Sequence, residues 1–199
     1  MGLDSYLYAS KPLSPRRRIE KLYIEFFNSL PPKFGNGESH YIYHEYRTHI
    51  DRLPRFTGQM GDIVNIKKID NKWHVLCEAG YWRKANAIHN WFVEKVQDGI
   101  DANDGSENPV SKEILDELTT IIKLAIGGRY LSKLDDKWTA SNRDIARFNQ
   151  YMPTQSGFFF GSTEYDYWYL RQLHYTNKKL KKVNSKAGQE WQYYYHASW

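Results

Sequence analysis

The chain has 199 residues, which suits one domain with a sizeable core that folds without covalent staples. Its 28 basic and 23 acidic side chains give a formal charge of +5, which permits an anionic partner without requiring nucleic acid. The single cysteine, Cys77, excludes a disulfide framework and fits a reducing compartment. No apolar run follows Met1 or approaches the roughly 20 residues of a membrane span, so we expect a soluble cytoplasmic protein.

The N-terminal part predicts a strand and then a helix. Leu3–Ala9 has the residue types of a short strand. Ser14-Pro15 is typical of a helix start, and apolar residues at helical spacing follow it until Pro31-Pro32. Residues 31–61 are rich in glycine and polar side chains, and we interpret them as an insertion or flap on the sheet.

A hairpin and a helix are predicted for the middle of the chain. Ile63–Ile69 and Trp73–Cys77 flank the turn residues Asp70-Asn71-Lys72, a pattern that favours a β-hairpin. The following segment predicts a helix because its apolar residues recur every three or four positions. These residues are Tyr81, Ala85, Ile88, Phe92 and Val96.

The second half predicts three helices and two strands. Residues 98–108 read as an acidic loop, and helices are expected from Ser111 to Gly127-Gly128 and over about 141–151. Phe158–Phe160 reads as a buried strand that turns at Gly161 directly into a helix capped by Ser162 or Thr163. Trp191–His196 predicts a final strand.

Together these elements predict an α+β fold in a single domain. We expect an antiparallel sheet of about four or five strands, with helices packed mainly on one face. The strands would be the N-terminal strand, the hairpin, the Phe strand and the C-terminal strand.

The candidate binding site combines the middle helix with the turn at Gly161. A helix N-terminus presents free backbone N–H groups that could hold an anion, although Glu164 and Asp166 would repel one and favour a helix that caps itself. Stacking, charge and base-edge recognition of a nucleotide are offered by side chains near both elements. The predicted ligand-binding residues are Trp82, Arg83, Lys84, Asn86, His89, Ser162 and Thr163. The alternative is that Trp82 and His89 are half-buried structural residues.

The sequence predicts no metal site and no cofactor. His40 and His44 would share a helical face, and His49 follows, but the spacing is not that of a His-Glu-x-x-His zinc site. The acidic loop at 98–108 lacks the alternate spacing and closing glutamate of a calcium loop.

Several blocks resemble a family of small uncharacterised proteins carried by phages and prophages. They are the start Met1-Gly2-Leu3-Asp4 with Tyr6-Leu7, the segment Tyr81–Val93, the segment from Pro153 to Tyr169, and the end from Tyr194 to Trp199. Ser5 stands where the family pattern has methionine, and the resemblance does not extend to about residues 31–61. The resemblance implies an accessory viral protein in the cytoplasm of a bacterial host. It implies no catalytic residues, because the family has no settled activity.

Three functions remain open at this stage. The protein could bind and sequester a small anionic nucleotide-like ligand, such as a host immune second messenger. It could instead block a host protein or nucleic acid through its aromatic surface, and its aromatic residues would also suit a homodimer. A third alternative is a metal-independent nucleotide-processing enzyme that uses His89 with Glu164 or Asp166.

Overall fold

The computed structural model describes residues 2–30, 46–101 and 107–199. Its strands, in chain order, are β1 (Asp4–Pro12), β2 (Asp62–Ile69), β3 (Lys72–Arg83), β4 (Asn108–Val110) and β5 (Gln192–Ser198). Its longer helices are α1 (Arg18–Asn28), α2 (Asn86–Val96), α3 (Lys112–Ile126), α4 (Asn142–Tyr151) and α5 (Tyr167–Val183). Residues 46–50 are also helical, and Leu131–Lys133 and Lys186–Glu190 form short 3₁₀ helices. None of the described helices combines the length and apolar character needed to cross a membrane.

The five strands form one antiparallel sheet in the order β2-β3-β1-β5-β4. The strands nearest the two ends of the chain, β1 and β5, are neighbours in the middle of this sheet. The predicted α+β class with about five antiparallel strands is therefore confirmed.

The two faces of the sheet differ in their surroundings. Along β1, Ser5, Leu7 and Ala9 are completely buried, whereas Tyr6 and Tyr8 point to the opposite face and are half-buried. The described helices pack on the Leu7 side of the sheet. Three contacts fix them there: Phe92 of α2 with Tyr195, Phe27 of α1 with Trp73, and Thr176 of α5 with Trp82. The predicted packing of helices mainly on one face is confirmed.

The Phe158–Phe160 segment is a turn, and its prediction as a buried strand is wrong. Phe158 is 96% exposed, and the Phe160 N–H donates to Gly157 O, as in a turn, while only the Phe160 ring is buried. Bulky apolar composition alone cannot supply the ladder partner that a strand requires. The fifth strand is instead β4, which begins at the last residue of the predicted loop. Its three residues, including Pro109, are too few to show an alternating pattern.

The helix starts predicted at Ser162 or Thr163 and near Tyr81 are also wrong. Helix α5 begins at Tyr167, where the Asp166 carboxylate caps it by accepting a hydrogen bond from the Tyr169 N–H at 2.8 Å. Tyr81 belongs to β3, and α2 begins at Asn86. The apolar spacing across this junction matches a helix only by coincidence, since Tyr81 and Trp82 point to opposite faces of the sheet.

The predicted insertion lies partly outside the described residues. Residues 31–45, which include His40 and His44, fall in that part, and so does the segment 102–106 of the acidic loop. Of the rest, Ile50, Phe56 and Met60 are core residues with exposures of 2%, 4% and 3%. Within the described ranges no group of three metal-ligating side chains occurs.

Candidate functional site

Two of the predicted site residues, Trp82 and His89, are sealed inside the protein. Trp82 is 2% exposed, and its indole Nε1 donates a hydrogen bond to Thr176 Oγ1 at 2.8 Å. His89 is 0% exposed, with Nδ1 at 2.7 Å from the Tyr195 hydroxyl and Nε2 at 3.0 Å from Asp101 Oδ1. Neither side chain lines the two clefts described below.

The environment of His89 also argues against a role in acid–base catalysis. Burial lowers its pKa, and the Asp101 carboxylate offsets this effect only in part. The lowered pKa favours the neutral imidazole at pH 7, and the side chain is completely buried. Its two polar neighbours instead link α2 to β5 and to the segment that follows α2.

Three predicted residues do meet at the turn that contains Gly161. Lys84, Asn86 and Ser162 line a cleft of about 220 Å³ there. The Asn86 side-chain amide donates to Ser162 O at 2.8 Å and to Phe160 O at 3.2 Å, and its Oδ1 accepts from the Gln155 N–H at 3.3 Å. Asn86 is 2% exposed, so its hydrogen-bonding capacity is used to hold this turn against α2.

The charge around the Gly161 cleft disfavours an anion. Lys84 is the one basic side chain in its lining, and Glu164 and Asp166 also line it. Thr163 is exposed outside the lining and accepts a hydrogen bond through its carbonyl from Thr154 Oγ1. Arg83 lies at the end of β3, opposite Asp4 in β1, and points to the opposite face from Trp82. The structure thus brings together only part of the predicted site.

A different cleft has the charge that an anion requires. We call it the basic cleft; it has a volume of about 560 Å³ and lies between α5 and the edge of β3. Strand β2 pairs with β3 only from Asp62, opposite Glu78, so β2 leaves the last part of β3 without a neighbour on that side. The charged residues in its lining are Arg55, Asp62, Glu78, Lys178, Lys179 and Lys182.

The positive charge of the basic cleft is only partly neutralised. Arg55 forms an ion pair with Asp62. Among the described residues, no carboxylate lies within 4.0 Å of the ammonium groups of Lys178, Lys179 or Lys182. The cleft therefore holds more positive than negative charge.

The pKa shifts at the cleft reflect this imbalance. Burial lowers the pKa of Lys182, and the neighbouring cations Arg55 and Lys179 lower it further. Burial raises the pKa of Glu78, so the charged form of this carboxylate is disfavoured relative to that of an exposed glutamate. An anion bound in the cleft would relieve the repulsion among the cations.

Lysines near the C-terminal end of a helix complement its dipole, so their presence there does not by itself predict a binding site. A second signal was present. Tyr175, Lys178, Lys179 and Lys182 recur at intervals of three and four residues, which places them on one face of α5. The sequence could not assign Arg55 to the same group, because its position beside α5 depends on the path of the chain before β2.

No protein-family model matches the chain, and searches of curated proteins and of solved structures return no significant match.

Proposed function

We propose that the protein binds a small anionic ligand of the nucleotide class, with its phosphate in the basic cleft. The observation that carries this proposal is a group of three lysines around one cleft, none of which has a carboxylate partner in the part of the chain that the structure describes. Lysine ammonium groups that are partly desolvated form stronger hydrogen bonds to phosphate oxygens than they do at an open surface.

The cleft also offers a surface for a base or sugar. The Tyr175 ring lines the cleft and is 37% exposed, and the Lys179 ammonium lies 5.2 Å from its centroid. A tyrosine ring of this kind can stack on a nucleobase while its hydroxyl stays in water. A phosphate beside the lysines and a base on Tyr175 would together fill the cleft.

Binding without turnover fits the chemistry of the nearby groups better than catalysis does. Burial raises the pKa of the Cys77 thiol to about 12, so this cysteine is not a thiolate nucleophile at neutral pH. His89, the predicted alternative as a general acid or base, is completely buried and does not line the basic cleft. These features favour a protein that holds its ligand.

The resemblance to phage proteins suggests which ligands to test first. A phage accessory protein could blunt host defence by sequestering a nucleotide second messenger, so cyclic dinucleotides and ADP-ribose derivatives lead the panel. Inorganic phosphate and AMP serve as the simplest members of the same chemical class.

A thermal-shift screen tests the proposal. A ligand that binds only the folded state raises the melting temperature in proportion to the logarithm of its concentration. We expect at least one phosphate-bearing compound to stabilise the wild-type protein and the Lys181→Gln variant, and to stabilise Lys182→Gln much less. Lys181 is a matched control because it lies beside Lys182 in the last turn of α5 but does not line the cleft. If no compound shifts the melting of the folded wild-type protein, the proposal is wrong.

A further inference from the structure

A second cleft adjoins the basic cleft along the chain segment that leads into β2. We call it the Gln59 cleft; it has a volume of about 290 Å³. Arg55 and Asp62 line both clefts. Between them in the chain, Gln59 lines the Gln59 cleft, whereas Met60 and Gly61 line the basic cleft. The segment from Arg55 to Asp62 is therefore the wall between two neighbouring clefts.

The side-chain amide of Gln59 is buried with only one of its two polar atoms paired. Gln59 is 7% exposed, and its Nε2 donates a hydrogen bond to Gly61 O at 2.7 Å. This bond fixes the orientation of the amide, because a carbonyl oxygen can accept from the nitrogen and not from the oxygen. In the part of the chain that the structure describes, Gln59 Oε1 has no hydrogen-bond partner. Buried polar atoms are nearly always paired, so this oxygen marks a place for a donor group of a ligand.

The backbone that holds the amide is fixed against the sheet. Gly61 lies so close to β3 that a Cβ at this position would collide with Glu78 O. Because Gln59 bonds to the carbonyl of this same glycine, its amide cannot turn away without breaking that hydrogen bond. The unpaired oxygen therefore has a defined position beside the cleft.

The rest of the lining suits an uncharged planar group. Within the described ranges, the charged side chains of the lining form two ion pairs, and their charges cancel. The pairs are Arg47 with Asp51 and Arg55 with Asp62. The buried apolar side chains of the lining are Tyr23, Ile50 and Ile63. Apolar surface with one well-placed polar group is common in small-molecule sites, and a nucleobase has the matching apolar faces and polar edge.

The side chains between the two clefts form a surface ion pair. The Arg55 and Asp62 side chains are 63% and 76% exposed, and a pair with this exposure contributes little stability. A ligand can therefore separate the two side chains, and the Arg55 guanidinium can then donate to a phosphate instead. One molecule can thus extend from the basic cleft into the Gln59 cleft.

From this arrangement we infer that the Gln59 cleft holds the second base of a dinucleotide whose phosphate lies in the basic cleft. The inference rests on the proposed function. An exocyclic amino group of that base donates a hydrogen bond to Gln59 Oε1, and the base packs against the apolar lining. Adenine, guanine and cytosine carry such a group, whereas uracil and thymine do not. A mononucleotide occupies the basic cleft alone and does not reach Gln59.

Calorimetric titration with two matched pairs of nucleotides tests the inference. The dinucleotides are linear diadenylate and its counterpart with purine, which lacks the amino group, in place of each adenine; the mononucleotides are AMP and purine riboside monophosphate. The wild-type protein should bind diadenylate about tenfold more tightly than its purine counterpart, because the latter leaves Gln59 Oε1 unpaired. It should not distinguish the mononucleotides. Gln59→Leu should lose the preference between the dinucleotides, and Gln172→Leu is the control, because Gln172 lines neither cleft.

Mononucleotide binding separates this inference from the proposed function. If the wild-type protein binds AMP but does not distinguish the two dinucleotides, the inference is wrong and the basic cleft remains the phosphate site. Weaker AMP binding by Gln59→Leu would also overturn it, because Gln59 would then support the basic cleft instead of contacting a second base. If no nucleotide binds, both claims fall. Should Gln59→Leu show no cooperative melting, the comparison of the two dinucleotides on the wild-type protein decides alone.

Discussion

At the scale of single residues, the buried ion pair between Lys11 and Glu20 carries a large desolvation cost. The two side chains are 3% and 1% exposed, and the Lys11 ammonium lies 2.6 Å from Glu20 Oε1. The ammonium also lies 4.8 Å from the Phe56 ring centroid and 5.3 Å from that of Trp191. Glu20 Oε2 accepts the Ser14 N–H, so one carboxylate joins β1 to the start of α1.

We expect Glu20→Gln to lower the free energy of unfolding by about 3 kcal/mol, because the Lys11 charge stays buried without its close partner. Urea unfolding at neutral pH measures this change. Glu25→Gln is the matched control on the same helix: its pair with Lys21 is exposed, so its loss should cost less than about 0.5 kcal/mol. Similar losses for the two variants would show that Lys11 is adequately stabilised by Glu190 and the rings.

At the scale of elements, the sequence predicted the helices and turns whose end residues are typical of helix caps or tight turns. Helix α3 is preceded by the N-cap Ser111, whose hydroxyl accepts the Ile114 N–H, and it is followed by Gly127 in the left-handed conformation. The hairpin turns at Asp70 and Asn71, both with positive φ, as a two-residue turn requires. These signals come from neighbouring residues, so they can be read from the sequence alone.

Elements that depend on distant partners could not be predicted in the same way. Strand β4 is three residues long and exists because β5 pairs with it. Phe158–Phe160 has the composition of a strand, but the Phe159 carbonyl accepts the Leu3 N–H outside the named strands, so the segment becomes a turn. The basic cleft likewise required Arg55 and α5 to meet, which no local spacing encodes.

The start of α4 supplies a prediction at this scale. Asp144 and Ser141 form a capping box, and Arg129 and Arg147 also donate to the Asp144 carboxylate. Burial alone would raise the pKa of Asp144, but these hydrogen bonds outweigh it and lower the pKa to about 2. A lowered pKa stabilises the folded state above the unfolded value near 3.9, and this contribution is lost as pH falls toward 2.

We therefore expect Asp144→Asn to lower stability at neutral pH by about 2 kcal/mol, as the loss of hydrogen bonds to a charged group does. Its stability should also fall less steeply than that of the wild-type protein between about pH 4 and pH 2. Thermal unfolding across this range measures both effects. The exposed Asp116→Asn variant should follow the wild-type curve; if Asp144→Asn does as well, the carboxylate is not coupled to folding.

At the scale of the whole molecule, the fold separates two kinds of surface. The helices cover one face of the sheet, and the other face carries the tyrosines. Strand β3 continues past its pairing with β2, and the lysines of α5 lie beside this unpaired edge. The protein thus combines a packed core with a charged cleft at its margin.

Acidity should strengthen anion binding at this margin. As pH falls from about 7 to about 5, Glu78 takes up protons at a higher pH than an ordinary glutamate does, because its pKa is raised. This loss of negative charge makes the cleft more positive. A phosphodiester, whose charge is constant over this range, should therefore bind more tightly at the lower pH. In Glu78→Gln this dependence should weaken, and an unchanged dependence would assign the effect to other groups.

Calorimetric titration with one phosphodiester ligand tests the central claim most directly. It compares the wild-type protein, the Lys178→Gln/Lys179→Gln/Lys182→Gln variant and the Lys181→Gln control. We predict that the triple variant binds at least about a hundredfold more weakly, since each charge-assisted contact is worth about tenfold, while the control binds as the wild type does. Equal affinity in all three proteins would show that the ligand lies elsewhere and would contradict the assignment of the basic cleft.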